Sequence, residues 1–400
     1  MTRTGQNTIE TLYASALAIV AECGLSGLSL RSLAESSRIG VSSITNAAGT
    51  KAELLGHLVE MASRNDAVLT AQILGLATRC APLSPVDLAE FADLALESGL
   101  QNGNNLSVFW SELIQASATD ADIARALSPW IDGQRGFWMQ LSALCPQQNA
   151  PLIGEALYTL SVDETAHGLA LQAVPAYRRL RRLCLVRLCA LDFSGRTEQS
   201  QMPLFDHLVA QLGEVSDSVR IDREPIAPFD KRTLIFADAA AHILVFEGAG
   251  AVTHRAVAAR AHVATSTLSY HFRSREDLLK GAMAFIIQRL KHSLFEPESE
   301  QRIENSDDPG YSIARSTYTL ALEASRSPQY VGSAADMRRK RGVNLVRQIN
   351  AQRPAGPHID ALGAQTLALA GIGAILANAY CGVEAATQRS ANLVGRLLLA

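Results

Sequence analysis

The sequence predicts an all-α chain made of two similar halves. Three observations predict it. Long stretches space their apolar residues at helical intervals with no strand-like alternation. A module near the N-terminus recurs 224 residues later, Gly24 matching Gly248. Each copy of that module reads as helix, tight turn, helix. The composition agrees: 400 residues suffice for about two to four domains, and 48% apolar with 19% charged residues is enough to bury a large core. The net charge of −3 excludes a uniformly basic nucleic-acid coat but not a small local DNA-reading surface.

The repeat carries most of the argument. Without gaps, Ile9–Leu55 laid on Thr233–Leu279 gives eight identities in 47 positions, among them Ala16/Ala240, Gly24/Gly248, Arg31/Arg255, Ala34/Ala258, Ser42/Ser266 and Leu54/Leu278. Like replaces like at Leu28/Val252, Ser29/Thr253, Ile39/Val263, Ile44/Leu268, Lys51/Arg275 and Glu53/Asp277. Each copy makes the same physical sense. A first helix is expected to stop at Gly24 or Gly248 in the left-handed conformation. Ser29 or Thr253 caps a short second helix with Leu33-Ala34 or Val257-Ala258 inward. After a turn at 38–40 or 262–264, Ser42-Ser43 or Ser266-Thr267 begin a third helix, placing small hydroxyl residues where base edges and phosphates are read. Lys51 or Arg275 then opens a long fourth helix.

Beyond each module the spacing predicts helices at 51–77, 84–101, 104–118, 120–145, 150–172 and 176–192, then at 275–295, 310–327, 329–352, 358–381 and 383–399. The Gly- and Pro-bearing stretch 194–229 reads as a connector, partly helical around 203–213. No charge falls between Asp360 and Glu384, but Gln365, Thr366 and Asn378 interrupt that stretch and Ala and Gly dominate it; a buried interface helix is expected, not a membrane span. Six scattered cysteines without a C-x-x-C pair read as reduced core thiols of a cytoplasmic protein, with no metal site and no cofactor. No signal peptide is expected at the N-terminus, where Glu10 and Glu22 bracket the only short apolar run. The nucleophile-elbow, H-E-x-x-H and phosphate-loop patterns of enzymes are missing, and Gly248-Ala249-Gly250 follows a helix, so it is not a dinucleotide fingerprint.

The run Ala239-Ala240…Gly248…Val257-Ala258…Ser266-Thr267-Leu268-Ser269-Tyr270-His271-Phe272…Arg275-Glu276-Asp277-Leu278-Leu279 resembles the DNA-binding domain of the tetracycline-repressor (TetR) family. The earlier copy resembles it less, with Asn46, Ala47 and Ala48 in place of Tyr270, His271 and Phe272. The resemblance implies two fused regulator subunits: a degenerate helix-turn-helix domain at 1–50, a ligand-binding and dimerisation domain at 51–193, a linker at 194–229, a second helix-turn-helix domain at 230–274 and a second helical domain at 275–400. It further implies an intramolecular pseudo-dimer, monomeric as a chain, in which 150–172 and 176–192 pack on 358–381 and 383–399. The two recognition helices would then sit roughly 34–36 Å apart on double-stranded DNA.

Unequal reading heads predict unequal half-sites. In the second head, Thr253, Arg255, Thr265, Ser266, Thr267, Ser269, Tyr270, His271, Arg273 and Arg275 are the candidate DNA contacts; in the first, Ser29, Arg31, Ser42, Ser43, Thr45, Asn46 and Lys51. Residues 230–280 carry seven Lys and Arg against five acids, whereas 3–55 carry four of each, so the second head should bind more strongly. Phe272 is expected in the core, and the arginine-rich runs 178–187 and 338–341 on solvated or salt-bridged faces. The family resemblance also implies a pocket for a small, apolar or aromatic effector. Phe109, Trp110, Glu112, Trp130, Arg135, Trp138, His167 and Tyr318 are its candidate residues, with repression released on binding. A ligand- or protein-binding adaptor with lost or one-headed DNA binding is the alternative.

Overall fold

The structure is a computed structural model that describes residues 3–102, 104–195, 202–220, 230–295, 308–352 and 358–400. All regular elements among these residues are helical. The first module is α1 (Arg3–Cys23), a 3-10 turn (Leu25–Gly27), α2 (Leu30–Ser37) and α3 (Val41–Ala48), leading into α4 (Lys51–Cys80). Its body continues as α5 (Pro85–Asn102), α6 (Asn104–Ser117), α7 (Ala121–Ala143), α8 (Ala150–Leu171) and α9 (Pro175–Ala190). After α10 (Met202–Arg220) the second module follows: α11 (Lys231–Glu247), a 3-10 turn (Ala249–Ala251), α12 (His254–Arg260), α13 (Thr265–His271) and α14 (Arg275–Phe295). Then come α15 (Pro309–Arg326), α16 (Val331–Arg339), α17 (Val343–Gln352), α18 (Ala361–Ala377) and α19 (Val383–Leu399).

The two modules share a backbone at the 224-residue offset. Ser29 (φ −136°, ψ 160°) and Thr253 (φ −126°, ψ 153°) are extended caps whose hydroxyls accept from the backbone N–H three residues on. Gly24 and Gly248 do not take the left-handed stop expected of them. Their φ of 72° and 86° is positive but their ψ of 174° and 167° is extended, which sends the chain straight into the 3-10 turn. The left-handed residues are instead Arg38 (φ 58°) and His262 (φ 54°), which close the turn between the paired helices in each copy.

Four further expectations change. The helix expected over 329–352 breaks at Lys340–Gly342 into α16 and α17, after a 3-10 turn at Pro328–Tyr330. The helix expected over 358–381 ends at Ala377 and gives way to a 3-10 turn (Ala379–Cys381). The helical part of the connector runs to Arg220 and is a packing element, laid against α9 and α16 with Phe205, Leu208 and Leu212 buried; 196–201 and 221–229 lie outside the described residues. Of the cysteines expected in the core, Cys145, Cys184 and Cys189 are buried, but Cys23 and Cys80 are exposed.

At the centre, α8 and α18 cross, with α9 against α18 and α15 against α8. A Cβ on Gly373 would lie 1.8 Å from the Thr159 carbonyl oxygen, so only glycine lets these backbones meet. The charge-free α18 is buried along almost its whole length, and no helix among the described residues is long and apolar enough to cross a membrane. In the arginine runs, Arg181, Arg187, Arg338 and Arg341 are buried and take the salt-bridged form of the expectation. Arg338, fully buried, donates to Asp163 Oδ2 at 2.9 Å and pairs with Glu164, whose other oxygen accepts from Tyr177 at 2.5 Å. Arg341 stands 3.6 Å from Asp163 and Arg187 2.6 Å from Asp360, while Arg181 joins Asp93 and Glu97. Burial alone would raise the Asp163 carboxyl; His167, Arg341 and Arg338 outweigh it and hold it below the usual carboxylate range.

The apolar core divides unevenly. α1, α2 and α3 are continuous with the main core through Leu12, Val20, Leu33 and Ile44. The second module has a core of its own, from Phe236 and Leu244 to Leu268 and Leu290, joined by Leu320 and Met337.

Candidate nucleic-acid interface and ligand cavity

Each module offers a short third helix with an apolar inward side and an outward polar face. In α13, Leu268 is fully buried while Thr265, Ser266, Thr267, Ser269 and Tyr270 are exposed; the Tyr270 ring, 84% exposed, is the largest apolar group left in water on either module. In α3, Ile44 and Ala48 are buried, and Ser42, Ser43, Thr45 and Asn46 face out. Ser269 and Thr45 use their hydroxyl protons alike, each donating 3.0 Å back to the carbonyl four residues before, which leaves lone pairs outward.

The flanking residues divide by role. Arg255 and Arg273 are exposed, and no described residue forms an ion pair with Arg255. Arg31, the counterpart of Arg255, is paired with Glu35 at 3.0 Å. Lys51 is exposed. Thr253 and Ser29 are caps first, their side-chain oxygens already accepting a backbone N–H. Two of the expected contacts also have internal partners. Arg275 donates to the carbonyls of Val252 (3.1 Å) and Ala249 (2.6 Å), pinning the 3-10 turn to the start of α14. His271 is half-buried, 3.1 Å from the Thr233 hydroxyl and edge-on to Phe236. Phe272 is buried, and His254 sits 2.7 Å from its carbonyl oxygen.

One helix of the second half holds both modules. From α15, Arg326 donates to the Ala21 (3.1 Å) and Val20 (3.3 Å) carbonyls at the end of α1 and to Glu112 at 2.6 Å. Three turns earlier, fully buried Arg315 donates to the Val245 carbonyl at 2.9 Å and, weakly, to Phe246 at 3.4 Å, at the end of α11. Ala21 and Val245 are equivalent positions of the repeat. Gln115 completes the joint, donating to the Val245 carbonyl and to Thr319, each at 2.8 Å. The 3-10 turns of the two modules touch, with Ser26 so close to Gly250 that any side chain there would displace it.

Trp110, Trp130 and Trp138 do line a cavity, of about 80 Å³, between α4, α5, α6, α7 and α8. The other five pocket candidates lie elsewhere. Phe109 is fully buried in the core behind it. Glu112 accepts from the Leu25 N–H at 2.9 Å and from Arg326, bracing the first module. Arg135 lies over the Tyr158 ring and 3.4 Å from Glu155. His167, 3.3 Å from Arg341, and Tyr318 belong to the buried seam between the halves. The polar lining that the sequence reading missed is Asp66 and Gln134. Asp66 accepts from the Trp130 indole at 2.8 Å and from Gln134; burial pushes its carboxyl up, against those two hydrogen bonds. Its signal in the sequence is one acid, 15 residues into α4, with no basic residue one helical turn on. Among the described residues no cluster of His, Cys, Asp and Glu is placed to hold a metal.

Residues 236–282 match the family of bacterial regulatory proteins of the tetR type. The match begins in α11, spans α12 and α13 and ends in α14, so it covers the second module and not the first. It supports a DNA-binding transcriptional regulator of that family. No match was found among curated proteins.

Proposed function

We propose that the chain is a transcriptional repressor that folds as an internal pseudo-dimer, grips an operator with unequal half-sites and is released by a small effector. The observation that carries this reading is α13 itself: a polar, outward face ending in the exposed Tyr270, on a module that matches the family and stands on its own core. Arg255 and Arg273, exposed beside it, supply backbone neutralisation, while Arg275 and His271 hold the helix in place.

Three observations support the pseudo-dimer. The modules share cap and turn geometry at a constant offset, α8 and α9 pack on α18, and α15 caps the first helix of both modules. A two-fold homodimer reads a palindrome; here the paired faces differ in kind at Val41/Thr265, Asn46/Tyr270 and Ala47/His271, so the half-sites differ too. The tryptophan cavity is the effector site in this reading. Helix α4 joins it to the first module, running from Lys51 to Asp66 and Ile73 in the cavity wall, so a ligand preferring one setting of α4 shifts the balance of DNA-competent states.

Footprinting the protein on the DNA flanking its own gene tests this. Two protected patches of unequal strength, one helical turn apart, are expected. Equal palindromic patches would refute the unequal half-sites, and no protection at all would leave a ligand- or protein-binding adaptor. Sedimentation should give the mass of one chain, 42.9 kDa; twice that mass would refute the self-contained pseudo-dimer.

A further inference from the structure

The cavity between α4 and α8 holds a single ionisable group. Its lining is apolar or neutral (three indoles, Phe137, Leu69, Ile73, Leu96, Leu100 and a few hydroxyls), and the one ionisable group is Asp66. No described Lys, Arg or His pairs with that carboxylate; its partners are the neutral donors of Trp130 and Gln134. A half-buried carboxyl among apolar groups either takes up a proton or gains from a charged partner that completes it. The indole N–H of Trp138, a buried wall residue, is a second unfinished group, with no acceptor among the described residues.

Resting on the reading of this cavity as the effector site, we propose that its ligand is an organic cation, with an alkylated ammonium head seated among Trp110, Trp130 and Trp138 against the Asp66 carboxylate. Indole faces attract such a head through their quadrupole, and a desolvated site strengthens the attraction. The volume selects the size. About 80 Å³ admits only a compact group, so a methylated head is the most that enters and any larger tail stays at the mouth. An ammonium with a hydroxyl or carboxylate nearby would also give the Trp138 N–H its acceptor. The seat is placed to be sensed: Asp66 lies on α4, close enough to Tyr13 of α1 to raise that phenol, together with the larger effect of burial.

The experiment compares two isosteres on the full chain: benzyltrimethylammonium, and neopentylbenzene, in which a carbon replaces the charged nitrogen. Binding is read by quenching of tryptophan fluorescence and by calorimetry. The cation should bind at least ten-fold more tightly than its neutral twin in the wild-type protein. Asp66→Asn, which keeps an acceptor for Trp130 and Gln134, should abolish that preference while leaving neopentylbenzene binding within two-fold. Equal binding of the twins, or preference for the neutral one, refutes the cation but leaves the cavity as an effector site. Binding of neither refutes both. Because the comparison is made first in the wild type, a poorly folded variant does not decide the outcome.

Discussion

The two helix-turn-helix modules share a backbone and several small hydroxyls of their third helices, and differ most where Asn46 stands in the first and Tyr270 in the second. Their caps, glycines and left-handed turn residues coincide at a fixed offset, and arginines of the same helix, α15, grip both at equivalent carbonyls. Yet only the second matches the family, only the second raises an aromatic ring from its reading helix, and only the second has a core of its own. The first is continuous with the main core and braced by Glu112 as well. Fold geometry is kept by a handful of caps and inward residues, and these survive when the outward face has changed. In the proposed reading, operator affinity depends on that outward face, whose side chains pack against little else.

The largest separation between the modules should come from their matched residues Tyr270 and Asn46. Tyr270→Ala should weaken operator binding 10–100-fold, about 1.4–2.8 kcal/mol, with the melting temperature unchanged because the ring is exposed. Asn46→Ala should cost under about three-fold. Gel retardation with both variants decides it; equal losses would mean that the heads read alike.

Bracing gives the next effect. Glu112→Gln removes the charge that Arg326 and the Leu25 N–H share. A nearly buried, charge-assisted contact of this kind contributes about 1.5–3 kcal/mol, so denaturant unfolding should lose roughly that amount. Hydrogen exchange should place the loss in α1 and α2 and leave α12 and α13 protected. Uniform loss of protection would show that the two modules are not separately held.

Salt dependence separates the paired arginine from the unpaired one. Arg255→Ala should lower the slope of log affinity against log salt by about one, the signature of a phosphate contact removed. Arg31→Ala should lower it by less than half of that, since Arg31 is already neutralised by Glu35 at 3.0 Å. A greater change from Arg31 would overturn the assignment of the second module as the stronger binder.

How much of this was legible in the sequence follows from what leaves a local pattern. Helical spacing and end residues placed most helices within a few positions, because Ser29, Thr253, Thr50 and Asp120 act on their own first turns. The outward face of α13 was legible for the same reason: Leu268 in, its neighbours out. What was not legible depends on the partner across space. Glu112 and His167 looked like polar anchors for an aromatic pocket, but one braces α1 and the other lies in the seam beside Arg341. Asp66 looked like an ordinary acid on a helix face, and only the packing of α7 on α4 buries it beside Trp130. Arg275 read as a phosphate clamp until the carbonyls of Ala249 and Val252 gave it other work.

Acid should distinguish the modules most gently, through a residue that the first one lacks. His242 on α11 is half-buried against Phe246, with Arg260 and Arg289 nearby and Asp238 one turn away; the equivalent position in the first module is the exposed Ala18. Burial, and then the two arginines, push the imidazole down to about 4. The unfolded chain therefore takes up a proton near pH 6.5 that the folded module refuses, so stability is full above about pH 6.5 and falls as pH drops toward 4. Asp238 acts in the opposite sense, since burial raises its carboxyl and the folded form gains by protonating it, which limits the net effect. Hydrogen exchange at pH 7 and pH 5 should show α11 and α14 loosening at the lower pH while α1 and α4 hold. His242→Gln should flatten that difference, because it leaves no proton to refuse. If the variant keeps the wild-type pH dependence, or if the first module opens first, the acid sensitivity of the second module does not come from His242.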